Sequence, residues 1–388
     1  MIVGVVGAGT MGAGIAQVCL AAGHRVRLHD VSDDALARAR ASIDEGLARM
    51  VDRGRIAAQE RAHALARLTT VATIGDAAAG TDVVIEAALE DLATKRAIFA
   101  ALDRAAPAEA LLATNTSALS VGAIAESTAR PGRVLGLHFF NPAPAMPLVE
   151  VVAGERTEGV ALAAGRAFAL ALGKRPVACR DAPGFIVNRV NRPFTLEALR
   201  MLEAGEASIG AIDAAVVAGG FPMGPFALMD LVGLDVNLAV ARALYEAFHE
   251  AVRFRPSAIK ERLVAAGTLG RKTGSGFYRY DAQGLAGRVA EPVEGSVPIA
   301  GPALAADEIR TRIELAIVNE AYHAAGEGVA PPPDIDLAMR LGAAHPVGPF
   351  ERARSLGLRR VVAELRRLEQ LHGERFRVAP TLWQVASI

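Results

Sequence analysis

Only two cysteines, Cys19 and Cys179, occur in the 388 residues. That number excludes a disulfide framework and points to a reducing compartment. Net charge is also missing, since 42 basic residues balance 42 acidic ones. The balance leaves no electrostatic footprint for nucleic acid or for an anionic membrane surface. No apolar run reaches the roughly 18 residues of a membrane-spanning helix. Histidines are few and scattered, with no H-E-x-x-H and no C-x-x-C. No metal site is therefore expected. The first apolar run begins at Ile2, which leaves no room for a leader and predicts a cytoplasmic protein. A chain this long is expected to form two or three domains.

What the chain does have begins at that run. Ile2 to Val6 is apolar and rich in β-branched residues, as a buried parallel strand requires. Gly7-Ala8-Gly9-Thr10-Met11-Gly12 follows at once, and then a helical pattern through Ile15, Val18 and Cys19. This is G-x-G-x-x-G between a strand and a helix, the context in which it binds a dinucleotide. Gly7 permits the tight turn, Gly9 lets the backbone approach a pyrophosphate, and Gly12 lets the helix pack closely. The helix start at Thr10 and Met11 turns N–H groups and a positive dipole end toward the phosphates. Asp30 ends a second strand, Arg25 to His29, 21 residues after Gly9. A carboxylate there accepts from ribose hydroxyls and repels a 2′-phosphate, which favours NAD over NADP. The plain alternative is a glycine turn that only packs a helix.

The α/β alternation continues. Helices are predicted over 35–52 and 57–67, as an insertion between strands, and over 91–102. Strands are predicted at 83–85, ending at Glu86, and at 111–114, ending at Asn115. Polar residues thus gather at strand carboxyl ends, where open α/β sheets bind ligands. Arg49, Arg53 and Arg55 in the insertion either meet an anionic substrate tail or form a solvated helix face.

One segment of thirteen residues carries the chemistry, HFFNPAPAMPLVE from His138 to Glu150. His138 closes an apolar run containing Val134, Leu135 and Leu137. Glu150 lies in a second run, and a loop with Pro142, Pro144 and Pro147 separates them. If the runs are neighbouring strands, the carboxylate comes back beside the imidazole. A histidine so backed is a general base in a defined tautomer. The alternative is a core histidine with a surface glutamate nearby. Ser117 could donate to a substrate oxygen, or Thr116 or Ser117 could merely cap the next helix. After the Pro183-Gly184 break, Asn188 falls in the first turns of a long helix at a domain seam. A buried amide there needs partners that a ligand can supply.

These residues resemble the L-3-hydroxyacyl-CoA dehydrogenase family over roughly residues 1–285. The motifs that carry the likeness are GAGTMGAGIA from Gly7, VIEAALED from Val84, ATNTSALSV from Ala113, HFFNPAPAMPLVEVV from His138, DAPGFIVNRV from Asp181 and GRKTGSGFYRY from Gly270. The resemblance implies a Rossmann-type α/β NAD-binding domain followed by an all-α domain. It implies NAD-dependent, reversible oxidation of (S)-3-hydroxyacyl-CoA to 3-oxoacyl-CoA, as in fatty-acid beta-oxidation, butanoate or phenylacetate-type metabolism. The family's general base falls on His138 and its carboxylate partner on Glu150. Its substrate contacts fall on Ser117 and Asn188. Glu90, Lys95, Asn115 and Asn141 match positions that line the cofactor and the active site. Ala118 departs from the family, which often has a second serine there, and one hydroxyl is lost.

Beyond Pro183 the strand pattern gives way to helical periodicity, and a repeat is visible. Glu197-Ala198, Gly205 and Ile212-Asp213 recur 123 residues later as Glu320-Ala321, Gly328 and Ile335-Asp336. Pro222-Met223-Gly224-Pro225-Phe226 recurs 124 residues later as Pro346-Val347-Gly348-Pro349-Phe350. The expected domains are therefore 1–183, NAD-binding; 184–281, helical; 282–302, a Gly/Pro-rich linker; and 303–388, a second, degenerate helical copy. In the resembling family the single helical domain dimerises. A tandem copy can replace that interface within one chain, so a monomer with an internal pseudo-dimer or a homodimer is expected. The competing activities are an L-gulonate or lambda-crystallin type hydroxy-acid dehydrogenase and a non-catalytic NAD-binding protein. The HFFNP segment follows the acyl-CoA pattern, and the set of Ser117, His138, Glu150 and Asn188 has no use in a structural protein. Short, long and 3-hydroxyadipyl thioesters all stay open as substrates.

Overall fold

The computed structural model describes residues 1–281, 283, 286–289 and 303–387. They form two compact units, Met1–Phe185 and Ile186–Ile388. Most of the stretch 282–302, expected as a linker, lies outside the described residues. Among the described residues no helix is long and apolar enough to cross a membrane.

The first unit is built on one eight-stranded sheet in the order β3-β2-β1-β4-β5-β6-β7-β8. The strands are β1 (Ile2–Val6), β2 (Arg25–His29), β3 (Leu68–Val71), β4 (Val83–Glu86), β5 (Leu111–Thr114), β6 (Val134–Phe139), β7 (Leu148–Ala153) and β8 (Arg175–Arg180). Seven helices connect them: α1 (Thr10–Ala21), α2 (Asp33–Asp52), α3 (Ala58–Ala66), α4 (Ile74–Ala78), α5 (Leu92–Ala105), α6 (Val121–Ala125) and α7 (Gly159–Ala171). Strands β4, β5 and β6 are buried at every position, as continuous apolar runs in a covered parallel sheet must be. Burying Val3, Val5, Ile15, Leu28, Ile43 and Phe99 completely contributes roughly 1.5–3 kcal/mol for each large side chain. Chain order reverses at β1, with β2 on one side and β4 on the other. The glycine turn after β1 opens at that switch point, where ligands bind in this architecture. Within this sheet the pairings are parallel except that of β6 with β7.

Among the described residues the second unit holds eleven α-helices: α8 (Val187–Val190), α9 (Arg192–Glu203), α10 (Ile209–Ala218), α11 (Pro225–Val232), α12 (Leu234–Ala247), α13 (Ala258–Ala265), α14 (Ala306–Gly326), α15 (Pro332–Gly342), α16 (Pro349–Leu356), α17 (Leu358–His372) and α18 (Pro380–Ala386). The long helix expected after Pro183 is divided between α8 and α9. Pro193 has no N–H to bond Arg189, so the ladder is interrupted while Asn191 keeps helical angles. Strand structure does not vanish here as expected. β9 (Tyr278–Tyr280) pairs antiparallel with β10 (Ala286–Val289), and β10 lies inside the stretch assigned to a linker.

The sequence repeat has element-by-element counterparts. α9 to α13 recur in order as α14 to α18, each series with a 3₁₀ turn before its last helix. The Gly-Pro-Phe motifs have a physical cause. Asp213 accepts from the Phe226 N–H at 2.9 Å, and Asp336 accepts from the Phe350 N–H at 2.7 Å. Each carboxylate caps a helix start, and a side chain at Gly224 or Gly348 would collide with it.

Candidate active site

Two of the three motif glycines are explained by the fold itself. Gly7 has φ +104°, and a Cβ there would lie 2.5 Å from the Ala87 carbonyl oxygen. A Cβ on Gly12 would lie 1.8 Å from the Gly7 carbonyl oxygen, so α1 could not pack on the turn. Gly9 is different. It caps α1 at φ −68°, and a Cβ there would meet nothing within 4 Å. Neither conformation nor packing demands glycine at that position, so the demand is assigned to a ligand approaching the backbone. Thr10 and Met11 open α1, with no side chain capping its N–H groups.

Asp30 stands beside this turn. Its carboxylate accepts from the Ala8 N–H at 2.7 Å and from the Ser32 N–H at 3.0 Å. It therefore braces the glycine turn and retains lone pairs for a ribose. Asp30→Ser is expected to raise KM for NAD by about 10–100-fold, the worth of charge-assisted hydrogen bonds. It should also narrow the preference over NADP. Initial rates with both cofactors check this, and an unchanged NAD/NADP ratio would remove the role.

The carboxyl ends of β4, β5 and β6 carry the next group. Glu86, fully buried, accepts from the Ala88 N–H, Lys95 Nζ and Thr114 Oγ1, each at 2.7 Å. Lys95 is 1% exposed and also lies 3.3 Å from Glu90. Glu90 accepts from Thr116 Oγ1 at 2.6 Å and from the Ser117 N–H at 2.8 Å, with Ser117 Oγ at 3.3 Å. Burial pushes the Glu90 pKa up, but Lys95 and the Thr116 and Ser117 donors outweigh it and hold the carboxyl below its usual range. Glu90 and Lys95 thus organise the Ser117 loop, a positioning role that the sequence did not disclose. Neither Thr116 nor Ser117 caps the next helix as the alternative required; Ser120 caps α6. Asn115 accepts from the Phe139 N–H at 2.9 Å and ties the end of β5 to the residue after His138.

His138 and Glu150 are direct register partners on β6 and β7. Nδ1 of the imidazole lies 2.6 Å from Glu150 Oε2. His138 is 6% exposed and Glu150 fully buried. An ionised carboxylate only accepts, so Nδ1 carries the proton and Nε2 presents a lone pair. Phe140 and Phe185 flank the ring, with centroids 4.5 and 5.8 Å away. The loop between the strands is held by Lys174, whose Nζ donates to the carbonyls of Ala143 at 2.6 Å and Met146 at 2.8 Å. Lys174 follows a turn glycine next to Arg175, so nothing in the sequence separates it from a surface basic pair.

The remaining expected residues are less closely tied to this group. Asn141 is exposed on the proline loop. Arg49 pairs with Glu45 one turn back, and Arg53 follows the end of α2. Their contacts fit a solvated helix end, and among the described residues neither reaches His138. Asn188 lies in α8 of the second unit.

Sheet order, switch-point turn and acidic β2 end define a dinucleotide-binding domain of the kind found in NAD-linked dehydrogenases. Comparison with known proteins makes the class specific. Residues 2–182 match the model for the NAD binding domain of 3-hydroxyacyl-CoA dehydrogenase. Residues 184–280 and 309–387 match that family's C-terminal domain. The chain belongs to the 3-hydroxyacyl-CoA dehydrogenase family, and it is an oxidoreductase with NAD as cofactor. It is 40% identical to 3-hydroxyadipyl-CoA dehydrogenase of Escherichia coli, over 99% of this chain and 97% of that protein. It is 44% identical to human mitochondrial hydroxyacyl-coenzyme A dehydrogenase, over 71% of this chain and 90% of the relative. The solved structure of 3-hydroxybutyryl-CoA dehydrogenase from Escherichia coli matches with a TM-score of 0.89 and 36% identity, covering 100% of this chain and 98% of that one.

Proposed function

We propose that this chain oxidises (S)-3-hydroxyacyl-CoA to 3-oxoacyl-CoA, with His138 as general base. The carrying observation is the 2.6 Å contact of His138 Nδ1 with buried Glu150, at the sheet end that also presents Ser117. Bound NAD supplies the acceptor for the hydride that leaves C3. His138 Nε2 takes the proton of the 3-hydroxyl as that hydride leaves. Glu150 fixes the tautomer and stabilises the imidazolium that forms. Ser117, steadied by Glu90, and Asn188 hold the hydroxyl and the thioester carbonyl, which matters because hydride transfer needs near-contact geometry. Glu90, Lys95, Asn115 and Asn141 support the cofactor side, and Arg49 and Arg53 are available to the phosphates of the coenzyme A tail.

The second helical series supports an internal pseudo-dimer, because α9 and α14 pack together within one chain. The activity is tested by NADH oxidation with acetoacetyl-CoA, run beside free acetoacetate and beside L-gulonate with NAD. Turnover confined to the thioester is expected. Turnover of L-gulonate alone would move the chain to the hydroxy-acid dehydrogenases, and failure with every thioester tried would end the proposal.

A further inference from the structure

Arg192, the first residue of α9, is 7% exposed. Among the described residues its Nε has no hydrogen-bond partner, and no carboxylate forms an ion pair with it. The contrast within the same unit is sharp. Arg189, 1% exposed, reaches Glu320 and Glu327, and Arg312, 4% exposed, reaches Glu197 and Glu206. A second cation lies in the same region. Lys260 is fully buried and, among the described residues, its ammonium donates only to the Asn237 amide oxygen, at 2.8 Å. Burial first, and then the Arg192 charge, pull its pKa down to about 7 against the opposing influence of Glu203 and Glu261. A buried guanidinium without an anion costs several kcal/mol, so its retention at this position asks for a partner that arrives with the ligand.

Position identifies the partner. Asn188 and Arg192 are four residues apart along a helix whose angles stay helical through Asn191. They therefore stand on one face, about 6 Å apart along the axis. On the function proposed above, Asn188 meets the reacting end of the substrate. A carboxylate ending a six-carbon acyl chain lies three carbon–carbon bonds beyond C3, a reach of about one helical turn. The coenzyme A phosphates lie far off on the other side of the thioester. The planar fork of arginine matches a carboxylate in bidentate fashion, and weak hydration suits it to a buried site.

We propose that Arg192 binds the terminal carboxylate of a dicarboxylyl-CoA substrate and sets a preference for it over the uncharged chain. This rests on the 3-hydroxyacyl-CoA reading of the site. Arg192 is a specificity residue, separate from the proton-transfer pair.

The test compares 3-hydroxyadipyl-CoA with 3-hydroxyhexanoyl-CoA, equal in carbon number, in wild type, Arg192→Met and Arg192→Lys. Wild type is expected to favour the adipyl thioester in kcat/KM. In Arg192→Met that ratio should fall by on the order of a hundredfold, the cost of truncating one partner of a buried charge pair. The fall should come through KM for the adipyl thioester. Arg192→Lys should restore part of the ratio. The Tm of unliganded Arg192→Met should be no lower than wild type, because an unpaired charge has been removed. A wild type indifferent to the two chains would overturn the inference, as would an equal loss on both chains in Arg192→Met. Those results leave the function standing, whereas no turnover of either thioester strikes at the function itself.

Discussion

His138→Gln is expected to lower kcat by about 10²–10⁴-fold, the usual worth of a positioned general base, with NADH affinity unchanged in a fluorescence titration. The imidazole contributes at one atom, Nε2, and only while Nδ1 keeps its proton on Glu150. Glu150→Gln therefore tests the same device from behind. The amide is isosteric, but it can turn its NH2 toward Nδ1, which then accepts and leaves the proton on Nε2. The loss should approach that of His138→Gln, by analogy with a protease triad whose carboxylate-to-amide change costs about 10⁴-fold. The double variant should be little worse than either single one, because the two residues act as a unit. Additive losses would mean that Glu150 works through something other than the imidazole. Full activity in His138→Gln would remove the mechanism and leave the fold untouched.

The histidine–glutamate pair was legible because three local signals agree. Each flanking run is apolar and strand-forming, the intervening loop is rich in proline, and antiparallel pairing across it brings His138 opposite Glu150. The glycine turn was legible for a similar reason, since all its parts lie within one strand–turn–helix. Elements with weak or conflicting patterns were missed. β3 is only four residues long, at the sheet edge, with Thr69 and Thr70 exposed. Its alternation is too short to distinguish from a turn. α7 is alanine-rich and was obscured between two strands. The family resemblance marks Glu90 and Lys95 as active-site residues, but nothing in the sequence shows that Lys95 bridges Glu86 and Glu90. Periodicity assigns faces of an element, and it does not say which charged side chains meet across elements. Arg192 shows the same limit. In the sequence it is one arginine among many, and only its burial without a carboxylate sets it apart.

The largest stability effect is expected from Glu197→Gln, and it follows from the repeat. Arg189 on α8 donates through Nε to Glu320 at 2.7 Å, and Arg312 on α14 donates through Nε to Glu197 at 3.0 Å. Donor and acceptor in the second pair are the first pair's residues carried 123 positions along the chain. Arg253 on Glu320 and Arg375 on Glu197 form a second reciprocal set at 2.9 and 3.1 Å, with the two arginines 122 positions apart. The two helical series thus hold each other through reciprocal buried ion pairs, as two copies in a symmetric dimer would. A buried pair contributes little compared with an apolar substitute, but breaking one side strands a charge and costs about 3–5 kcal/mol. Glu206 still partners Arg312 in the variant, so about 3 kcal/mol is the better expectation, or a fall in Tm of roughly 6–12 °C for a unit of this size. Trp383, the single tryptophan, lies on α18 and reports this unit's unfolding. Adding Arg312→Met to Glu197→Gln should recover part of the loss, because one stranded cation is then gone. Acid should act in the same direction as the mutation. Burial pushes the Glu197 pKa up, but Arg200, Arg312 and Arg375 outweigh it and hold the pKa below 4.5, its ordinary value. Its contribution is therefore complete above 4.5 and is lost as pH falls below that, because the unfolded carboxylate binds its proton first. The gap in Tm between wild type and Glu197→Gln should accordingly shrink as pH falls from 4.5. A gap below about 2 °C at neutral pH, or one that widens in acid, would mean that apolar packing of α9 on α14 holds the two series together without the ion pairs.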